Sequence, residues 1–475
     1  MNPNDLHSYQ FRCVDHVIEH NSAALHLDPG LGKTIIVLTA IEQLFYDLFC
    51  IKGVLVVAPL RVVQSVWRQE AAKWSHTKDL TFSYITGDPS SRIRGLCTKA
   101  NIYLVNYENL PWLLTEVEHR FLTLGNYPPW DMIVFDESSK MKNTKIKQGV
   151  KRGIAALKLL QYAPRRVNLT GTPAPNGMLD LFGQYLCLDG GKRLGQSYSG
   201  FRSTYFYLSS AYSTKWLAFE KSKDQITELL ADITIDLVAS DYITMPDLIE
   251  NDIMLTFPPD MQARYDAIER EMLIELESGH DVEIFNRASL VNRCLQFAGG
   301  GVYLNPGMPE WEMIHEVKMD ALIDLVDELG QQPVLLIYQY QHEAKRIKKQ
   351  YPDAIWISSK TSSSDFNQAI IDWNSGKLNM IIGHAASMGH GIDRLQHSCH
   401  NVIWFGLNWS WDLYYQSNSR IARQGQSSPT VMVHRLLMNN TADLIVRAAI
   451  QVKRSTESEV RELIREYGRK KRGII

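Results

Sequence analysis

Residues 27–34 read Leu27-Asp28-Pro29-Gly30-Leu31-Gly32-Lys33-Thr34, set between the apolar runs 23–27 and 35–44. That pattern predicts a strand, a tight glycine turn and a helix. Gly30 and Gly32 let the backbone curl so that its N–H groups face inward, and the new helix turns its positive end toward an anion. Lys33 would reach the outer phosphates of a nucleotide, and the Thr34 hydroxyl would hold Mg²⁺. The usual spacing has Gly or Ala at position 27, where this chain has Leu27. A bare glycine turn is the alternative, and the residues further along weigh against it.

Four more apolar runs end in polar or glycine residues. They are 53–58 before Pro59, 102–105 before Asn106-Tyr107-Glu108, 132–135 before Asp136-Glu137-Ser138-Ser139, and 167–169 before Thr170-Gly171-Thr172-Pro173. Helical stretches lie between them. This alternation predicts an α/β fold, a parallel sheet with helices on both faces and ligands at the carboxyl ends of the strands. From about 190 to 309 strand runs become scarce, and aromatic and helical segments take over. The sheet pattern resumes near 317, with runs at 334–338, 354–357, 379–382, 401–405 and 430–436. Closing helices are expected at 441–450 and 457–467, with a frayed tail at 469–472. The expected division is a first lobe, 1–245, carrying the phosphate loop, with the helical insert beginning near 190. Residues 246–315 follow as insert and linker, and 316–475 as a second lobe with closing helices.

With 475 residues, two or three domains are expected. Hydrophobic residues at 45% and charged residues at 21% are a globular balance, and no run of eighteen apolar residues suggests a membrane span. The start, MNPNDLHSYQ, lacks the basic and apolar regions of a signal peptide. Six scattered cysteines without a CxxC pair fit a reduced, cytoplasmic protein. A net charge of −2 leaves any nucleic-acid surface to local patches.

Asp136-Glu137 after an apolar strand is the partner a phosphate loop needs. Asp136 would hold the metal, and Glu137 would orient and deprotonate the attacking water. Gln416, Arg420 and Arg423 stand at i, i+4 and i+7, one helical face with two guanidinium groups for phosphate. They lie in the half without a phosphate loop and are expected to complete the other half's site. Gln10, one helix ahead of the loop, has an amide suited to the edge of adenine. Lys140, Lys142, Lys145, Lys147, Lys151 and Arg152 form a run without an acid, either a solvated face or a contact for DNA phosphates. Lys345–Lys349 is a weaker second run. His384, His390, His397, Cys399 and His400 fit no standard zinc spacing.

These motifs, in this order, resemble the superfamily 2 helicase-like ATPases, and within them the Swi/Snf-type DNA translocases in a minimal form as in bacteria or bacterial viruses. The resemblance rests on Tyr9-Gln10, DPGLGKT at 28–34, VVAPLRVVQSVW at 56–67, VNYE at 105–108, DESS at 136–139, LTGTPAPN at 169–176, VLLIYQY at 334–340, GHGID at 389–393 and QSNSRIARQGQ at 416–426. It implies two RecA-like lobes with parallel sheets, a helical insert between them, and ATP with Mg²⁺ as cofactors. Gln10, the loop residues Pro29, Gly30, Leu31, Gly32, Lys33 and Thr34, and Gln416 and Asp393 would bind nucleotide. Arg420 and Arg423 would act as phosphate clamps or arginine fingers, and Thr170 and Thr172 would couple nucleotide state to lobe movement. Pro59, Arg61, Asn106, Tyr107 and Tyr338 would line a DNA track, joined by Lys140, Lys142 and Lys145. The implied activity is DNA-dependent ATP hydrolysis with movement on duplex or branched DNA. A strand-separating helicase and a non-hydrolysing ATP-dependent binding module are the alternatives. A monomer without membrane contact is expected, in the host cytoplasm if the chain is viral.

Overall fold

The run Val54–Ala58 is apolar at all five positions, which suits a strand only where both faces of its sheet are covered. That is where it lies in the computed structural model, which describes residues 1–472 apart from 143–150, 211–215, 278–283, 306–307, 331, 359–360, 362 and 389–393. The chain divides into two compact units, Met1–Ile243 with Lys453–Ile475, and Thr244–Val452.

The first unit holds β1 (Ser22–Leu27), β2 (Val54–Ala58), β3 (Phe82–Ile85), β4 (Ile102–Asn106), β5 (Met132–Asp136), β6 (Arg165–Thr170), a hairpin of β7 (Phe206–Leu208) and β8 (Trp216–Ala218), and β9 (Thr234–Leu237). Seven strands pair in the order β3-β4-β2-β5-β6-β1-β9, every neighbour parallel. The carboxyl ends of β1, β5 and β6 therefore lie along one edge, and the sequence carries LDPGLGKT, DESS and LTGTP there.

The second unit holds β10 (Asp247–Leu255), a hairpin of β11 (Gly301–Tyr303) and β12 (Trp311–Met313), then β13 (Val334–Tyr338), β14 (Ile355–Ile357), β15 (Met380–His384), β16 (Asn401–Trp404) and β17 (Thr430–Met438). Its sheet runs β10-β17-β16-β13-β15-β14, again all parallel. Period-two alternation splits β13 between two cores. Leu335 and Ile337 pack with Trp404, Val431 and Val433, while Val334, Leu336 and Tyr338 pack with Ile382, Ile403 and Leu436. Both faces of this sheet are covered, as the sequence pattern predicts. Among the described residues, no helix is long and apolar enough to cross a membrane.

Two expected boundaries differ. Residues 246–315 are not a separate insert. β10 pairs with β17 over nine residues, and Phe257, Tyr265, Phe297 and Ala298 share the core of β13 and β16. Asp247–Leu255 does not read as a strand because it carries Glu250 and Asp252. Those charges are satisfied by Arg435 on β17, at 3.2 and 2.5 Å. The two closing helices are one, Ala442–Lys471, because 451–456 contains no glycine or proline to break it. Its last part, with the tail expected to fray, belongs to the first unit, where Arg472 donates to the Thr234 carbonyl at 3.0 Å.

Candidate active site

β1 ends at Leu27, and the helix Lys33–Glu42 starts after five intervening residues. Gly30 (φ 95°) and Gly32 (φ 78°) take the left-handed conformations that make the turn possible. A Cβ on Gly32 would stand 2.4 Å from Gln10 Nε2, so a side chain there would displace the Gln10 amide from the turn. Gly32 caps the helix without any side-chain bond, and the helix turns its positive end toward the glycine turn. Lys33 and Thr34 are half-buried, Leu31 is fully buried, and Lys33 Nζ donates to the Leu27 carbonyl at 2.7 Å. The donors present suit a nucleotide's phosphates.

Gln10 is buried against this loop. Its Oε1 accepts from the His7 N–H at 2.8 Å and its Nε2 donates to the Leu31 carbonyl at 3.2 Å. Tyr9 donates to the same carbonyl at 3.3 Å. The glutamine expected to read adenine is spent on anchoring the glycine turn to the first helix.

Asp136 ends β5 and is buried. Burial pushes its carboxyl above the usual range, against the Trp67 N–H and the Lys33 ammonium, which both favour the charged form. Trp67 Nε1 donates to Asp136 Oδ2 at 2.9 Å. A strand-end carboxyl oriented by Trp67, with the Lys33 charge opposing its protonation, suits a divalent cation. Glu137 follows in a left-handed conformation (φ 59°, ψ 55°), uncommon for a residue with a Cβ. The Tyr107 hydroxyl spans the turn, donating to the carbonyls of Asp136 at 2.9 Å and Glu137 at 3.3 Å. Ser138 donates to Gln184 Oε1 at 2.9 Å, and Gln184 Nε2 donates to the Pro173 carbonyl at 2.6 Å. The acidic turn is thereby wired to the Thr170–Pro173 segment, where Thr172 N donates to Thr170 Oγ1 at 3.1 Å.

The second unit differs from expectation at its arginines. The helix Trp411–Asn418 ends before Arg420, so Gln416, Arg420 and Arg423 do not share a helical face. Asn418 is drawn inward by Trp404 Nε1 at 3.0 Å, and Gln426 bonds the carbonyls of Cys399 and Ile421 at 2.7 and 3.1 Å. The chain folds back onto the sheet in turns, burying Ile421 and Ala422 and leaving Arg420 and Arg423 half-buried. Gln416 is buried and donates to Asp412 at 2.8 Å.

The expected DNA-track residues divide. Tyr338 is 6% exposed in the second unit's core, its ring 5.8 Å from Trp356 and 5.7 Å from His384. Asn106 is buried, bonded to Glu108 and Asn109 at 2.8 and 2.7 Å, and Tyr107 is 1% exposed. An apolar-strand terminus pulls such residues inward, and none of the three offers a surface contact. Arg61 is half-buried. Lys140 is half-buried, and Lys142 Nζ lies 3.9 Å from Asp180. Lys145 and Asp393 lie outside the described residues.

Sequence reasoning missed a charged cluster beneath the loop. Arg461, on the C-terminal helix, is buried and bonds Asp28 Oδ1 at 2.5 Å and Asp236 Oδ2 at 3.0 Å. His26 Nδ1 lies 3.6 Å from the same Asp236. Burial works to raise the Asp236 carboxyl, but Arg461 and His26 outweigh it and hold it below the usual range. An arginine 433 residues from its partner leaves no local signal.

A family model described as the SNF2-related domain matches residues 9–205. Protein p41 of Acyrthosiphon pisum secondary endosymbiont phage 1 is 34% identical over 468 residues, spanning 96% of this chain and 98% of that protein. CHD3-type chromatin-remodeling factor CHR7 of Arabidopsis thaliana is 22% identical over 471 residues, 92% of this chain but 36% of that protein. Among solved structures, the Sulfolobus solfataricus SWI2/SNF2 ATPase core in complex with dsDNA matches over 97% of each chain, at 22% identity and a TM-score of 0.42.

Proposed function

The chain belongs to the SNF2-related family of Swi/Snf-type, helicase-like ATPases, and from that premise we propose that it is a DNA-dependent ATP hydrolase that moves along duplex or branched DNA. One observation carries the reading most. The glycine turn with Lys33 and the buried Asp136 share the carboxyl edge of one parallel sheet, and the lysine's charge is felt at the carboxylate.

In this reading the N–H groups at the start of the helix Lys33–Glu42 and the Lys33 ammonium hold the outer phosphates. Thr34 and Asp136 would hold Mg²⁺, which when bound neutralises phosphate charge. Glu137 orients a water against the terminal phosphorus and takes its proton as the new P–O bond forms and ADP leaves. Arg420 and Arg423 neutralise phosphate charge during turnover. Ser138–Gln184–Pro173 relays the state of the acidic turn to Thr170 and Thr172. Lys140 and Lys142 bear on DNA phosphates.

Phosphate release with and without duplex DNA tests the enzyme; a rate indifferent to DNA refutes the reading. Displacement of a third strand from a triplex, without unwinding of a long forked duplex, is expected of a translocase. Unwinding without triplex displacement would make the protein a strand-separating helicase instead.

A further inference from the structure

We propose that Arg461 and Glu457, one turn apart on the C-terminal helix, are positioning residues of the nucleotide site, holding the phosphate loop and the segment after β6 in the shape that binds ATP. This rests on the ATPase reading above.

The Arg461 guanidinium is shared among three segments of the first unit. Its Nε donates to Asp236 Oδ1 and Oδ2 at 3.2 and 3.0 Å, on β9. Its Nη1 donates to Asp28 Oδ1 at 2.5 Å and to the Gly171 carbonyl at 3.4 Å, and its Nη2 to the Leu237 carbonyl at 2.9 Å. Asp28 is the first residue of the phosphate loop. Its other oxygen accepts from the Ala239 N–H at 2.9 Å, so the loop's entry is gripped from both sides of one carboxylate. Gly171 stands against the lysine, for a Cβ there would be 3.6 Å from Lys33 Nζ and 3.3 Å from the Leu27 carbonyl. The guanidinium therefore touches the segments that flank Lys33. One turn earlier, both Glu457 oxygens accept from the Ala174 N–H, at 3.2 and 3.1 Å.

Burying an arginine with two aspartates costs desolvation that apolar packing would not, so such a cluster contributes orientation more than stability. A lysine has one ammonium and cannot reach these acceptors together, whereas the planar fork of arginine can. The helix runs unbroken from Ala442 to Lys471.

The test uses the full chain and reads KM for ATP, kcat, thermal midpoint, and direct binding of a fluorescent ATP analogue. Asp28→Asn leaves the Arg461–Asp236 pair in place and weakens the loop's ties to Arg461 and to the Ala239 N–H. Both Asp28→Asn and Arg461→Lys are expected to raise KM and the analogue's Kd by about tenfold, the worth of one charge-assisted bond, with kcat and midpoint little changed. Glu457→Gln, which keeps an acceptor for Ala174, is expected to stay near wild type, and Glu457→Ala to follow the other two. If Arg461→Lys does not fold, Asp28→Asn decides. Unchanged KM and Kd in folded Asp28→Asn protein would overturn the proposal. A wild-type chain that binds no ATP would overturn the ATPase reading as well, and is told apart because it fails before any substitution.

Discussion

Tyr107→Phe separates two roles for one residue, as a DNA contact or as a brace for Glu137, the proposed general base. The ring is 1% exposed and the hydroxyl is its only polar atom. That hydroxyl donates to two carbonyls, at 2.9 and 3.3 Å, and the Glu137 carbonyl has a second donor, the Lys140 N–H at 3.0 Å. Removing the hydroxyl therefore leaves the Asp136 carbonyl as the main loss, about 1–2 kcal/mol for a buried hydrogen bond. Holding Glu137 in the left-handed region costs about 1–2 kcal/mol, so the brace is of the size needed to keep it there. Released from it, Glu137 spends less time aimed at the water. The expected result is a kcat lower by roughly five- to thirtyfold with KM for ATP little changed. Steady-state phosphate release across DNA concentrations measures this. The DNA concentration for half stimulation should stay where it is. Normal kcat with a raised DNA requirement would refute the brace and return Tyr107 to the DNA track.

Glu137→Gln should lower kcat by about 10²–10⁴ while leaving ATP binding intact, read by single-turnover hydrolysis beside nucleotide binding; a normal rate would remove Glu137 as the base. Lys140→Glu with Lys142→Glu should raise the DNA concentration for half stimulation and flatten its salt dependence, because fewer phosphates are neutralised, and an unchanged requirement moves the DNA surface elsewhere. Acid should destabilise the fold through buried histidines. Burial lowers His16 and His315 to about 4 and His342 to about 3, with Arg346 adding to the effect on His342. Their folded values lie below the unfolded value of about 6.5, so the unfolded chain takes up protons first and stability falls as pH drops from there toward 4. Thermal midpoints that stay flat from pH 7 to 5 would contradict this.

The local chemistry of this chain was legible along its length. Glycine turns, apolar runs and strand-terminal carboxylates obey short-range rules, and they placed β1, β2, β4, β5, β6, β13 and β16, the turn at Gly30–Gly32 and the pair Asp136-Glu137. Helical spacing misled at Arg420 and Arg423, because hydrogen bonds from Trp404 and Gln426 outcompete the propensity to continue a helix. Motif position misled at Tyr107 and Tyr338, because the end of a buried strand can turn an aromatic side chain inward as readily as outward. Charge hid β10, since Glu250 and Asp252 look like solvent residues until Arg435 stands opposite them on β17. The sequence by itself determined the apolar strands and the glycine turn, since each depends on residues within a few positions. Only the tertiary structure decided that a buried arginine at 461 grips an aspartate at 28, because the cost of burying those charges is met by partners brought together by folding alone.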